Sequence, residues 1–414
     1  MAKTHSATFY QKIFKQKYKY LIESDSWLKK PNKLKKIIEE ATKKATLNYN
    51  KLENPKTSDL STYIHHWIIE SIFRKLSESK IQKVTVPKSQ KDEDLFVRAL
   101  GNYLSITSLI ENKKLLQEIA IKKTHEEQEK AWEQAKPFKE GLEKAFIELA
   151  KQRDCFAFKK GCSNYLEMVL DMNRISRKSF TNFTENVDTV ISLINKQLPK
   201  IHRLPEGFCA SFDIPCFICE TKFPELKIPE QIFNLMEKNY PILKTYKNKI
   251  SIKYGKETKS VYLKENDDFE ITINKEGKKN HQTIGLIHEF GHVATMLYDL
   301  NGGKSPLEIG KYKEEKSAAK IELETLSTIS PDVYKARSGN ILFIFQRVLF
   351  ELAVYDNPKQ SLSQLYANML SRCFLKPNQK ENHAYLLDDA LILKPLSSLA
   401  LAIAYLELIH SQKN

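Results

Sequence analysis

Residues 287–296 read IHEFGHVATM. Two histidines and a glutamate, His288, Glu289 and His292, sit in a run that also holds Ile284, Leu286, Ile287, Phe290, Val293, Ala294 and Leu297. A helix over this run is apolar nearly all round, so it must be buried. Buried imidazoles and carboxylates are costly unless something satisfies them. Whatever fold the chain adopts must therefore bring partners to this helix. His288 and His292 are four residues apart and project from one helical face, which lets them hold one metal ion. Glu289, beside them, can reach a metal-bound water and act as general base.

Zinc in a catalytic site takes three protein ligands and keeps a fourth position open. No third histidine follows at the short His-x-x-Gly-x-x-His spacing. The next stretch rich in carboxylates is KYKEEKSAAKIELETLSTIS, residues 311–330, which reads as a helix. Its apolar stripe is Ala318, Ala319, Leu323, Leu326 and Ile329, and Glu322 falls near the centre of that stripe. Glu324 is rotated by about 200° to the polar side, with Lys320. A carboxylate inside a buried stripe needs something to bind, so Glu322 is the expected third ligand and Glu324 the weaker candidate.

The rest of the 414-residue chain suits a mostly helical protein of α+β type. The 41% hydrophobic content is enough for a sizeable core, and 12 Gly and 15 Pro are few for an all-β fold. No apolar run is long enough for a membrane span, and the N-terminus carries no signal-peptide core. A cytoplasmic location without a membrane partner is expected. The net charge is +15, but nine Arg among 66 basic residues leave 57 Lys. Phosphate and base readout favours Arg forks, so specific nucleic-acid binding is not expected. The oligomeric state is unknown. The six cysteines, including the lone Cys216-Phe-Ile-Cys219 pair, read as buried free thiols, because a structural zinc site needs a second pair.

Residues 1–125 read as an N-terminal helical region and 126–414 as a second domain around the histidine motif. Strand-like alternation is confined to KISIKY (249–254), KSVYL (259–263) and FEITIN (269–274), expected to form a small antiparallel meander. A helix follows, with Asn280 as a plausible N-cap.

Several stretches, in order, resemble the oligoendopeptidase F and thimet oligopeptidase family of zinc metallopeptidases. They are GCSNYLEMVLDMNRISRKSFTNF, FEITINKEGKKNHQTIGLIHEFGHV, IELETLSTI and FELAVYDNP. The resemblance covers roughly residues 140–400. It implies a helical zincin-type fold with a small sheet beside the zinc helix and a deep substrate channel. It implies zinc on His288, His292 and Glu322, with Glu289 as base and short peptides as substrates. It also implies that FEITIN, with Ile271 and Ile273, is an edge strand that pairs with the substrate backbone. A shortened N-terminal side departs from the family, as does the 30-residue interval from His292 to Glu322, a few more than usual. Near the C-terminus the family has a His and several Tyr around a Pro, which donate to the oxyanion. Here DDALILKPLSSLALAIAY has Pro395 but Ser397, Ser398 and Leu401 at the Tyr positions. His383, Tyr385 and Tyr405 are the candidates to stand in.

Overall fold

The computed structural model describes residues 136–159, 161–198, 228–255, 258–263, 266–275, 279–306, 309–357, 360–374, 385, 391 and 395–411. The expected N-terminal region 1–125, the boundary at 125/126, Cys209, Cys216, Cys219 and His383 lie outside the described residues. Cys155 and Cys373 are free thiols; Cys373 is buried, whereas Cys155 is exposed rather than buried.

The described residues are mostly helical. Three helices come first: α1 (Lys136–Lys159), α2 (Tyr165–Asn173) and α3 (Arg177–Gln197). Two more, α4 (Glu230–Asn239) and α5 (Pro241–Thr245), lead into the strands β1 (Ile250–Gly255), β2 (Lys259–Leu263) and β3 (Asp268–Asn274). Five helices follow: α6 (Lys279–Asn301), α7 (Lys311–Ile329), α8 (Pro331–Asp356), α9 (Leu362–Phe374) and α10 (Leu399–Ser411). Local chemistry sets several ends. Asn164 caps α2 through the Glu167 amide and Ser176 caps α3 through the Ser179 amide. Ser330 and Pro331 separate α7 from α8: Pro331 cannot continue α7 and is well placed in the first turn of α8, which the Ser330 side chain caps. Asn280 lies inside α6 rather than capping it.

The sheet is mixed, not an antiparallel meander. Its order is β1-β3-β2, with β1 parallel and β2 antiparallel to β3. β3 is therefore the central strand, and FEITIN offers no free edge. Ile271 and Ile273 are fully buried in the core between the sheet and α6, where they cannot meet a substrate. Phe269, Ile271 and Ile273 are the most apolar alternating set among the strands, and the middle position pairs both edges of the strand while one face packs on α6. β2 is the edge strand that packs against α6.

The apolar interior has two parts. One gathers residues of α1–α3 and α8–α10; the other gathers α4, the sheet and α6. α7 stands between them, giving Ala319 and Leu323 to the first and Ile321 and Leu326 to the second. It packs on α6 on one side and α10 on the other. The approach to α6 is close at Gly291. A Cβ there would sit 2.8 Å from the Ala318 Cα and 3.0 Å from its carbonyl oxygen. Gly291 thus lets the carboxylates of α7 reach the histidines of α6.

Candidate active site

α6 projects His288 and His292 toward α7, with their Nε2 atoms 3.1 Å apart. Glu315 of α7 directs Oε2 at the pair, 3.3 Å from His288 Nε2 and 3.7 Å from His292 Nε2. That oxygen is buried and makes no well-aligned hydrogen bond. These three atoms form the compact His/Glu group among the described residues. Tetrahedral zinc with ligands near 2.0–2.2 Å has ligand–ligand edges of about 3.4 Å. Spacings of 3.1, 3.3 and 3.7 Å bracket that edge, and an orphaned buried carboxylate oxygen is what a cation would satisfy. The residues fit a zinc ion.

Glu322 is also on this face, because residues seven apart in a helix are two turns apart. It is 0% exposed, whereas the Glu324 side chain is 52% exposed beside Lys320. The stripe therefore has the orientation expected from the sequence. Glu322, however, meets the other edge of the ring: Oε2 is 2.7 Å from His288 Nδ1. It is held from behind by Arg337 of α8, whose Nε donates to Oε1 at 2.6 Å, and by the Tyr405 hydroxyl of α10, which donates to Oε2 at 2.8 Å. Arg337 Nη2 in turn donates to the Tyr405 hydroxyl at 2.7 Å. On His292 the Nδ1 edge faces Glu314 Oε1 at 3.5 Å. His288 thus has a hydrogen-bonded carboxylate at Nδ1, whereas His292 Nδ1 has only the more distant Glu314 near it; both Nε2 atoms face Glu315.

Electrostatics follow the geometry. Burial would raise the Glu322 pKa, but the Arg337 guanidinium and His288 outweigh it and hold the carboxyl at about 2. Burial would lower His288, yet Glu315 and Glu322 raise it to about 10. Burial also depresses His292, and His288 adds to the effect. Without a cation, a proton on His288 balances the carboxylates.

Glu289 sits next to the cage and accepts a 2.7 Å hydrogen bond from Ser260 Oγ on β2. The edge strand and the candidate base are therefore in direct contact. Tyr385 is 1% exposed and packs among Phe146, Phe350 and Tyr366 with ring centroids 5.2–6.1 Å away, in the aromatic core rather than at the site. Its expected role in substrate contact is not supported by this placement. Tyr405 meets the cage through Glu322, behind the Nδ1 edge of His288. Sequence reasoning ranked Glu315 behind Glu322 as third ligand, and passed over Arg337 and Ser260. The seven-residue spacing of Glu315 and Glu322 was the available signal for the first; nothing local marks the other two.

No protein-family model and no curated protein matches the chain. Solved structures do. PZ peptidase A, determined with an inhibitor, superposes with a TM-score of 0.50 at 15% identity, covering 91% of this chain and 88% of that one. The chain has the fold of PZ peptidase A. A Bacillus anthracis protein assigned as an oligoendopeptidase F gives a TM-score of 0.48 at 15% identity over 90% of this chain and 74% of that one. A Pyrococcus furiosus carboxypeptidase gives 0.39 at 15% identity, over 94% and 86%. In this chain the His288, His292 and Glu315 group lies between α6 and α7. Among the described residues no helix is long and apolar enough to cross a membrane.

Proposed function

We propose that this chain is a zinc-dependent peptidase that cleaves short peptides internally. The observation that carries the reading is the convergence of His288 Nε2, His292 Nε2 and Glu315 Oε2 on one point, with Glu289 beside it. Glu315 takes the ligand position that the sequence suggested for Glu322, and Glu322 instead orients His288. Zinc, when bound, supplies a Lewis acid that polarises the scissile carbonyl and brings a coordinated water toward pKa ~7.

The protein's own residues do the rest. Glu322 occupies the Nδ1 edge of His288 and so turns its Nε2 inward, while Glu314 stands near the Nδ1 side of His292. Glu289 removes the proton of the attacking water and delivers it to the departing amine nitrogen. The Ser260 hydroxyl holds one Glu289 oxygen and leaves the other for that water. β2, an edge strand among the described residues and beside Glu289, would offer backbone groups to an extended peptide.

A second reading is a zinc-retaining peptide binder with little turnover. Tyr405 on the closed side and Tyr385 in the core favour it, since neither tyrosine faces a reacting carbonyl. A peptide blocked at both ends separates these readings. The peptidase cleaves it internally with one zinc per chain, and Glu289→Gln lowers turnover by about 10²–10⁴ while zinc stays bound. Equal rates in the two proteins leave the binder. Cleavage restricted to unblocked C-termini points to a carboxypeptidase on the same scaffold.

A further inference from the structure

The cage has a closed side and an open side. Glu322 and Tyr405, behind the Nδ1 edge of His288, are 0% exposed. The side chains of Glu315 and His288 are 11% and 14% exposed, and that of Lys311 is 46% exposed. The exposed Lys311 side chain thus lies on the Glu315 side of the cage, away from Glu322 and Tyr405.

Lys311 begins α7, one turn before Glu315, and its Nζ lies 2.5 Å from Glu315 Oε1. Glu315 Oε2 is the oxygen that faces the two histidines. The ammonium is thus a carboxylate's width from the point those three atoms enclose. It also feels the charges of Glu314 and Glu289, so the candidate base lies in the same neighbourhood. Arg337, a further cation at the site among the described residues, is committed to Glu322 and Tyr405.

Hydrolysis needs a donor where negative charge develops on the former carbonyl oxygen. Resting on the peptidase reading above, we propose that Lys311 is that donor. Its ammonium donates a hydrogen bond to the oxyanion of the tetrahedral intermediate while it keeps its contact with Glu315. No proton is transferred and no bond to Lys311 forms. A flexible stem with three N–H donors suits this task, because one donor can stay on Glu315 as another turns to the oxyanion. The terminal carboxylate of a substrate is the less suitable target, since it would lie a further residue away from the scissile carbon.

The test uses the zinc-loaded full chain with Lys311→Met and Lys311→Arg. Zinc stoichiometry is read first, then the affinity for a phosphinic peptide, which mimics the tetrahedral anion. The affinity for an uncleaved peptide is read on Glu289→Gln, with and without Lys311→Met. Expected for Lys311→Met are one zinc per chain, kcat lower by about 10²–10³, phosphinic affinity lower by a similar factor, and peptide affinity nearly unchanged. Lys311→Arg should recover part of both losses. Loss of zinc, or an equal loss of both ligands, would make Lys311 a support for Glu315 and overturn the proposal. So would unchanged phosphinic affinity. If the unsubstituted protein neither holds zinc nor binds the phosphinic peptide, the peptidase reading itself has failed, which is a separate outcome.

Discussion

Glu322 Oε2 lies 2.7 Å from His288 Nδ1, on the edge of the ring turned away from His292. Glu315, two turns earlier on the same helix, reaches the opposite edge. One imidazole is thus clamped between two carboxylates of one helix, and its orientation is set before any metal arrives. The two glutamates should therefore fail differently when changed.

Glu315→Gln replaces a charged oxygen ligand and should abolish tight zinc binding. Glu322→Gln can still accept a hydrogen bond from Nδ1–H and should weaken zinc affinity by about 10–100-fold. Competition with a chromogenic chelator measures both. A larger loss for Glu322→Gln than for Glu315→Gln would reverse the two roles.

Arg337 balances the buried Glu322 charge. Arg337→Met should strand that charge and destabilise the protein by about 3–5 kcal/mol. Adding Glu322→Gln removes the stranded charge, so the double variant should be more stable than Arg337→Met alone. Denaturant midpoints of the three proteins decide it; additive losses would show that the two residues act independently.

Gly291→Ala places a methyl group 2.8 Å from the Ala318 Cα, which is backbone and cannot swing aside. α6 and α7 must then separate. The expected cost is about 1–3 kcal/mol, with weaker zinc binding because the carboxylates of α7 move away from the histidines of α6. A thermal melt and a zinc titration on one preparation test both effects.

Glu407 of α10 accepts from Lys316 Nζ and from the Tyr312 hydroxyl of α7, both at 2.5 Å. Burial works to raise its pKa, but these partners outweigh burial and hold it below the ordinary carboxylate value. The sign follows: the contribution to stability is complete above the unfolded pKa near 4.5 and is lost as pH falls through the lower folded value. Glu407→Gln should lower the melting temperature at pH 7 and have a smaller effect near pH 3. The same difference at both pH values would exclude this linkage.

The sequence by itself determined the helix that carries His288, Glu289 and His292, because polar groups in a run apolar on every side admit few explanations. It determined that Glu322 is buried and Glu324 exposed, since helical rotation is fixed by residue number. It placed the three strands closely, because alternation is local. It did not determine the order of those strands. Putting FEITIN in the middle depends on how much apolar surface each strand can bury against α6, which is a property of the packed layers. Nor did it separate the tasks of Glu315 and Glu322, which share a helical face. Only the close approach at Gly291 and Ala318, with Arg337 and Tyr405 arriving from α8 and α10, decided which nitrogen of His288 each carboxylate meets. Tyr385 was equally undecidable in the chain: a tyrosine suits an active site or an aromatic core, and its neighbours in space put it in the core.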